Sequence, residues 1–184
     1  MDSEQLYRRY LNGDDSALTG LVELFFARLV LFANGYLGDI GLAEEAALDA
    51  LYELAKHPRR FSGRSGIGTY LFSIARHKAL DRLRKRGREL AAPLDESMTD
   101  GADRVLEEVL ENEKKRELYR AVNELPRDMR EAVHLVYFED MKYSEAARVL
   151  KKSPRQVDGL LYRARKKLRE SLTDNGESPN EERL

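Results

Sequence analysis

The chain has 184 residues and a formal net charge of −1, with 42% hydrophobic and 35% charged residues, a balance that permits a core beneath a heavily charged surface. Zero Cys excludes a disulfide framework, a thiolate metal site and a Cys nucleophile. A mean hydropathy of −0.61, without an apolar run approaching about 18 residues, speaks against a transmembrane helix, and the polar start Met1-Asp2-Ser3-Glu4 is not a secretory signal. The expectation is a soluble cytoplasmic protein without direct membrane insertion, of one ordinary domain or two small ones.

In chain order, Leu6, Tyr7, Tyr10 and Leu11 mark a short leading helix. Leu18, Leu21, Val22, Phe25, Phe26, Leu29, Val30, Ala33, Tyr36 and Leu37 follow the i, i+3, i+4 rule of a long buried helix, with Asp14 and Asp15 as cap candidates and Gly38-Asp39 as its break. A third helix, residues 43–56, places Leu48, Leu51, Tyr52 and Ala55 on one face and stops at His57-Pro58. A Gly/Ser-rich loop, residues 62–66, precedes a fourth helix from about Ile67, with the stripe Ile67, Leu71, Ile74, Ala75 and Ala79. Residues 87–102, with Pro93 and Gly101, read as a linker. Periodicity returns at Val105 and continues to Leu125-Pro126. Helices then follow over 127–138, 144–150 and 154–172, the last two separated by Lys151-Lys152-Ser153, with Ser153 as N-cap and Pro154 in the first turn. A short helix, a tight turn and a longer basic helix form a helix-turn-helix pattern. No period-2 alternation is present, so the fold class is all-α: two small helical domains, residues 1–88 and 113–172, on a flexible acidic linker, 89–112, with a disordered polar tail, 173–184.

The charges are sorted along the chain. Residues 76–88 hold seven Lys or Arg against Asp81, residues 89–113 hold nine acids against Arg104, and residues 163–169 hold five cations in seven positions. Two basic patches can attract polyanions locally at near-zero total charge; the plainer alternative for each run is a solvated helix face.

Catalytic machinery is absent from the sequence pattern. His57, His77 and His134 lack metal-ligand spacing, no Walker loop or nucleophile elbow occurs, and Gly63 to Gly68 precede a helix without a preceding parallel strand. The expectation is a non-enzyme with no metal and no cofactor. Nucleic-acid binding has more support. The basic helix end, Arg84 and Lys85 included, can neutralise phosphates, while Arg64, Ser65, Thr69 and Tyr70 are types that hydrogen-bond to or stack on unpaired bases. For Tyr70, core packing and a base contact are both open. In the last helix Arg155 and Gln156 would meet base edges in a major groove, with Arg163, Arg165 and Lys166 further along on phosphates. Leu161, Tyr162 and Leu168 read as core.

The ordered motifs resemble a bacterial sigma factor of the extracytoplasmic-function (ECF) group. The second half carries Leu125-Pro126, Tyr137-Phe138-Glu139, Tyr143-Ser144-Glu145-Ala146-Ala147, Val157 and Arg163-Ala164-Arg165-Lys166-Lys167-Leu168. The first half carries Leu37-Gly38-Asp39, Ala43-Glu44-Glu45, Arg60-Phe61, Ile74-Ala75-Arg76 and Asp81-Arg82-Leu83-Arg84. The resemblance implies two helical domains, regions 2 and 4. Glu44, Glu45 and Asp49 would dock on RNA polymerase core. The Arg64–Tyr70 segment, with Arg76, His77, Lys78 and Arg82, would open and read the minus-ten element. The last two helices, with Ser153 at the turn, would read the minus-thirty-five element of promoter DNA. The acidic linker would thread toward the polymerase active site, and an anti-sigma protein is implied as a partner by resemblance only. Departures are Leu48 for the usual Gln, His77 for Asn, Ile67 and Tyr70 for Phe and Trp, Lys151-Lys152 without the usual turn Gly, and Asp158, Gly159 and Leu160 in the recognition helix. Two other readings remain: a helix-turn-helix regulator acting without polymerase, and a sigma-like interaction protein without promoter activity.

Overall fold

The structure, a computed structural model, describes residues 2–89, 105 and 113–174, with side chains to 87 and 170 in the two long stretches. The acidic linker, apart from Glu89 and Val105, and the tail beyond Asp174 lie outside the described residues. Among the described residues there are eight α-helices and no strand. The chain divides into two compact units, residues 1–111 and 112–184.

In the first unit, α1 (Ser3–Leu11) starts at Asp2, whose carboxylate accepts from Glu4 N–H at 3.4 Å. The next helix, α2 (Asp15–Leu37), is capped by Asp14, which accepts from Ser16 N–H at 3.1 Å. The Ser16 hydroxyl and the Arg9 guanidinium also donate to Asp14 and hold its carboxyl below the usual range. At the other end Gly38 adopts φ 58°, a left-handed cap open to glycine without steric cost. Asp39 then caps α3 (Ile40–Lys56) by accepting from Leu42 N–H at 3.1 Å. A 3-10 turn (Pro58–Arg60) and a loop lead into α4 (Ile67–Glu89).

By length and composition α2 could cross a membrane, contrary to the expectation from the sequence. Here it is the central core helix, packed by α1, α3 and α4, and its C-terminal half is buried almost all round at Leu29, Val30, Leu31, Phe32 and Ala33. Burial of each large apolar side chain contributes about 1.5–3 kcal/mol. Against it α3 presents Ala43, Ala46, Ala47, Ala50, Leu51 and Leu54. The four alanines let the helices approach closely, so the buried face of α3 keeps Leu51 of the expected stripe but leaves out Leu48 and Tyr52. Leu48 and Tyr52 stand 54% and 62% exposed. The core face of α4 is Ile67, Leu71, Phe72, Ala75 and Ala79. Phe72 joins the stripe expected from the sequence, and Ile74 lies only partly buried.

The second unit comprises α5 (Glu113–Asn123), α6 (Arg127–Val133), a π turn (His134–Phe138), α7 (Tyr143–Leu150) and α8 (Pro154–Asp174). The single helix expected over 127–138 is therefore two segments, with Glu139 N–H reaching back to His134 C=O at 3.2 Å. Tyr119, Val122, Leu125, Leu135, Val149, Leu150, Val157, Leu160, Leu161 and Leu168 form the core. Leu160, a departure from the family pattern, is thus an ordinary core contact. Inside this core His134 Nε2 lies 3.4 Å from Glu139 Oε1, both side chains nearly inaccessible to water.

Candidate nucleic-acid interface

On α4, Tyr70, His77, Asp81 and Arg84 recur at i, i+7, i+11 and i+14, so they share one outward face. Asp81 sits between two of these side chains, 3.2 Å from His77 Nδ1 and 2.9 Å from the Arg84 guanidinium. Lys85 is exposed, and Arg76 and Lys78 are half-buried. Arg82 and Arg86 point the other way. Arg82 donates to Asp49 at 3.0 Å and approaches Glu45 at 3.5 Å, its side chain only 20% exposed. Arg86 donates to Leu37 C=O at 3.4 Å and lies 3.9 Å from Asp39. The basic run therefore has two jobs: Arg82 and Arg86 tie α4 to α3 and to the α2–α3 turn, while Arg84 and Lys85 face water.

The loop ahead of α4 exposes Arg64 and half-exposes Ser65. Thr69 is 4% exposed and faces the interior, which is a correction to its expected place on a nucleic-acid surface: within the first turn of α4 it sits three residues before the buried Phe72, on the packed side. The Tyr70 ring lies 5.2 Å from the Phe61 ring, centroid to centroid, while remaining partly exposed, a placement that fits both of its readings. Phe61 in turn meets the edge of Tyr7 at 5.1 Å. Burial, then the nearby Glu53 carboxylate, pushes the Tyr70 phenol up from its ordinary value, with Arg60 opposing.

On α3, Glu44 and Glu45 are exposed and Asp49 is half-buried against Arg82. They flank the exposed Leu48 and Tyr52, with the Lys56 ammonium 5.7 Å from the Tyr52 ring, so this face is an apolar pair among mostly acidic side chains. Such a composition suits a protein partner better than a polyanion.

In the second unit α7 ends at Lys151, left-handed at φ 55° and ψ 45°, the conformation a turn glycine would adopt without strain. Lys152 ties the turn to α6 through Asp128 at 3.1 Å. Ser153 and Gln156 then form a reciprocal cap: Gln156 N–H donates to Ser153 Oγ at 3.2 Å, and Ser153 N–H donates to Gln156 Oε1 at 2.8 Å. The Gln156 side chain is thereby turned back on the helix start, away from the base-reading pose expected of it. Arg155, Gly159, Tyr162 and Lys166, at i, i+4, i+7 and i+11, line the outward face of α8 with Arg163 beside them, all exposed except the half-buried Gly159. Arg165 is half-buried at the flank.

Two family models match the chain: Sigma-70 region 2 over residues 21–89 and Sigma-70, region 4 over residues 115–168. The chain belongs to the sigma-70 family, ECF type. It is 26% identical to the RNA polymerase sigma-H factor of Pseudomonas aeruginosa over 182 residues, covering 92% of this chain and 93% of that one. To the ECF RNA polymerase sigma factor SigW of Bacillus subtilis it is 24% identical over 172 residues, 88% of this chain and 92% of the relative. The solved sigma factor RpoE of Bartonella quintana, in complex with the anti-sigma factor NepR, shares the fold with a TM-score of 0.63 at 24% identity, over 84% of this chain and 96% of that one.

Within region 4, Tyr162 departs from its expected place in the core. It is 66% exposed, in the middle of the outward row of α8. A helical wheel carries the signal: Val157, Leu160, Leu161, Ala164 and Leu168 already complete the buried face, which leaves Tyr162 opposite them.

Proposed function

We propose that this chain is a dissociable sigma subunit that binds RNA polymerase core and directs it to promoters, with no catalysis of its own. The observation that carries this reading is the coexistence of three surfaces of different chemistry. The acidic α3 face, with Leu48 and Tyr52 as apolar anchors, suits docking on a basic protein element. The half-sheltered Tyr70, with Arg64 beside its loop and Arg84 and Lys85 further along α4, suits a melted strand at the minus-ten element. The α8 row of Arg155, Tyr162 and Lys166 suits a duplex major groove at the minus-thirty-five element. A plain helix-turn-helix regulator would use only the last of these.

The acidic linker, 89–112, would occupy a cationic nucleic-acid channel of the polymerase until RNA displaces it. The action is cytoplasmic. An anti-sigma protein is a further proposed partner, supported by the relative solved with NepR. The test is retention of genomic promoter fragments by the chain alone, by core alone and by both. Selective retention only by the pair supports the proposal. Selective retention by the chain alone favours the regulator, and no association with core favours the interaction protein.

A further inference from the structure

The first helix lies outside the segment matched by the region 2 family model, residues 21–89, yet it holds both ends of the loop that precedes α4. Glu4 Oε1 accepts from the Ile67 N–H, the first amide of α4, at 2.7 Å. The Tyr7 hydroxyl donates to Pro58 C=O, and the Tyr10 hydroxyl donates to Ala55 C=O at 2.9 Å. The Tyr7 ring meets Phe61, which carries Tyr70. The helix itself is seated closely on α2, where a Cβ on Gly20 would come within 3.0 Å of Leu6.

These contacts fall on a stretch with little stiffness of its own. Residues 61–68 include Gly63 at φ 70°, Gly66 and Gly68. Glycine-rich backbone loses the most freedom on being fixed. A carboxylate at a helix N-terminus meets both an amide left without an intrahelical partner and the positive end of the macrodipole. The chemistry therefore favours Glu4 where it stands, and the bond fixes the point at which the loop becomes helix. Arg64 lies three residues before that point and Tyr70 three residues after it.

We infer that Glu4 is a positioning residue for promoter capture: the carboxylate of α1 on the Ile67 amide sets the aim of Arg64 and Tyr70 on melted DNA. The inference rests on the reading of residues 64–70 as the strand-capturing segment. Pre-organisation of such a segment increases capture without adding a contact to DNA.

The test uses the full chain with polymerase core and two substitutions. Glu4→Ala removes the acceptor; Glu4→Gln keeps a carbonyl oxygen there and removes only the charge. Glu4→Ala is expected to speed amide exchange at Ile67 and to lower initiation on duplex template roughly tenfold, as loss of a charge-assisted bond can. It should lower initiation much less on a template opened in advance, and leave core affinity unchanged. Glu4→Gln should retain initiation within about threefold of the parent on both templates. A general loss of folding would instead lower core affinity and both templates alike, and that result overturns the inference. Arg64→Ala with Tyr70→Ala in the same assay tests the underlying reading. If that pair lowers initiation while Glu4→Ala frees the Ile67 amide without lowering it, the inference fails and the reading stands. If the pair has no effect, the reading fails and the inference falls with it.

Discussion

The Arg82 guanidinium donates to the Asp49 carboxylate at 3.0 Å and joins α4 to α3. Glu45 completes the contact at 3.5 Å. A cation that the family resemblance places on DNA and an acid that it places on the polymerase are thus each other's partner in this structure. The proposed docking face and the proposed DNA face of region 2 share a strut.

A double-mutant cycle measures that strut. The pair is partly exposed, so the coupling between Arg82→Ala and Asp49→Ala in urea unfolding should be about 0.2–1 kcal/mol, shrinking with added salt. Because Arg82 is engaged, its loss should flatten the salt dependence of promoter binding less than the loss of Lys85, which faces water. Zero coupling at low salt, together with equal salt slopes, would show that the two side chains do not hold one another.

The turn of the helix-turn-helix and the middle of α8 call for opposite substitutions. Lys151 carries a side chain in left-handed backbone, so Lys151→Gly should stabilise the second unit by about 1 kcal/mol. Gly159 is helical, and a Cβ there meets nothing within 4 Å, so Gly159→Ala should stabilise by about 0.5–1 kcal/mol. Thermal unfolding should register each as a rise of a few degrees. A fall on Gly159→Ala would mean that another group fills the space beside Gly159.

These positions show what the sequence makes legible. The helix order, the helix-turn-helix and the apolar stripe of α2 follow from periodicity alone, because large apolar residues there do face the core. On α3 the same logic misplaces Leu48 and Tyr52, since the close contact is made by alanines, whose low hydrophobicity hides their role. Gln156 is a residue type suited to bases, but its spacing from Ser153 also suits a cap, and the cap is what forms. Lys151 gives no glycine signal for the left-handed turn it makes.

Substitution separates cap from reader. Gln156→Ala should cost about 1 kcal/mol of stability in the second unit by releasing the Ser153 N–H, with only a small change in upstream sequence preference. Arg155→Ala should leave stability unchanged and relax preference at one or two upstream positions by about 1–3 kcal/mol. Melting curves and binding of single-position promoter variants distinguish them, and a loss of preference without a loss of stability in Gln156→Ala would contradict the capping role.

Two tyrosines give the first unit an alkaline limit. Burial raises Tyr7 and Tyr70 above the ordinary 10.0. A raised acid stays neutral in the fold, so its stabilisation is full below the unfolded value and is lost as pH rises through the folded one. Unfolding midpoints should fall above about pH 10, and Tyr70→Phe should make that fall shallower. An unchanged slope would place the alkaline transition elsewhere.

On the α3 face, Tyr52→Ala should weaken core binding by about 2 kcal/mol, as an exposed aromatic anchor does on truncation. Glu44→Lys should act mainly on association rate and more strongly at low salt, without touching the Arg82 strut. Titration of labelled core against the two variants checks both, and parent-like affinity in each would remove α3 from the docking surface.

The central claim is core-dependent initiation, and run-off transcription with mapped start sites tests it most directly. With core polymerase and the parent chain together, defined starts are expected on a subset of genomic fragments, and neither component alone should produce them. If the pair initiates no more selectively than core alone, while the chain binds those fragments by itself, the account is contradicted.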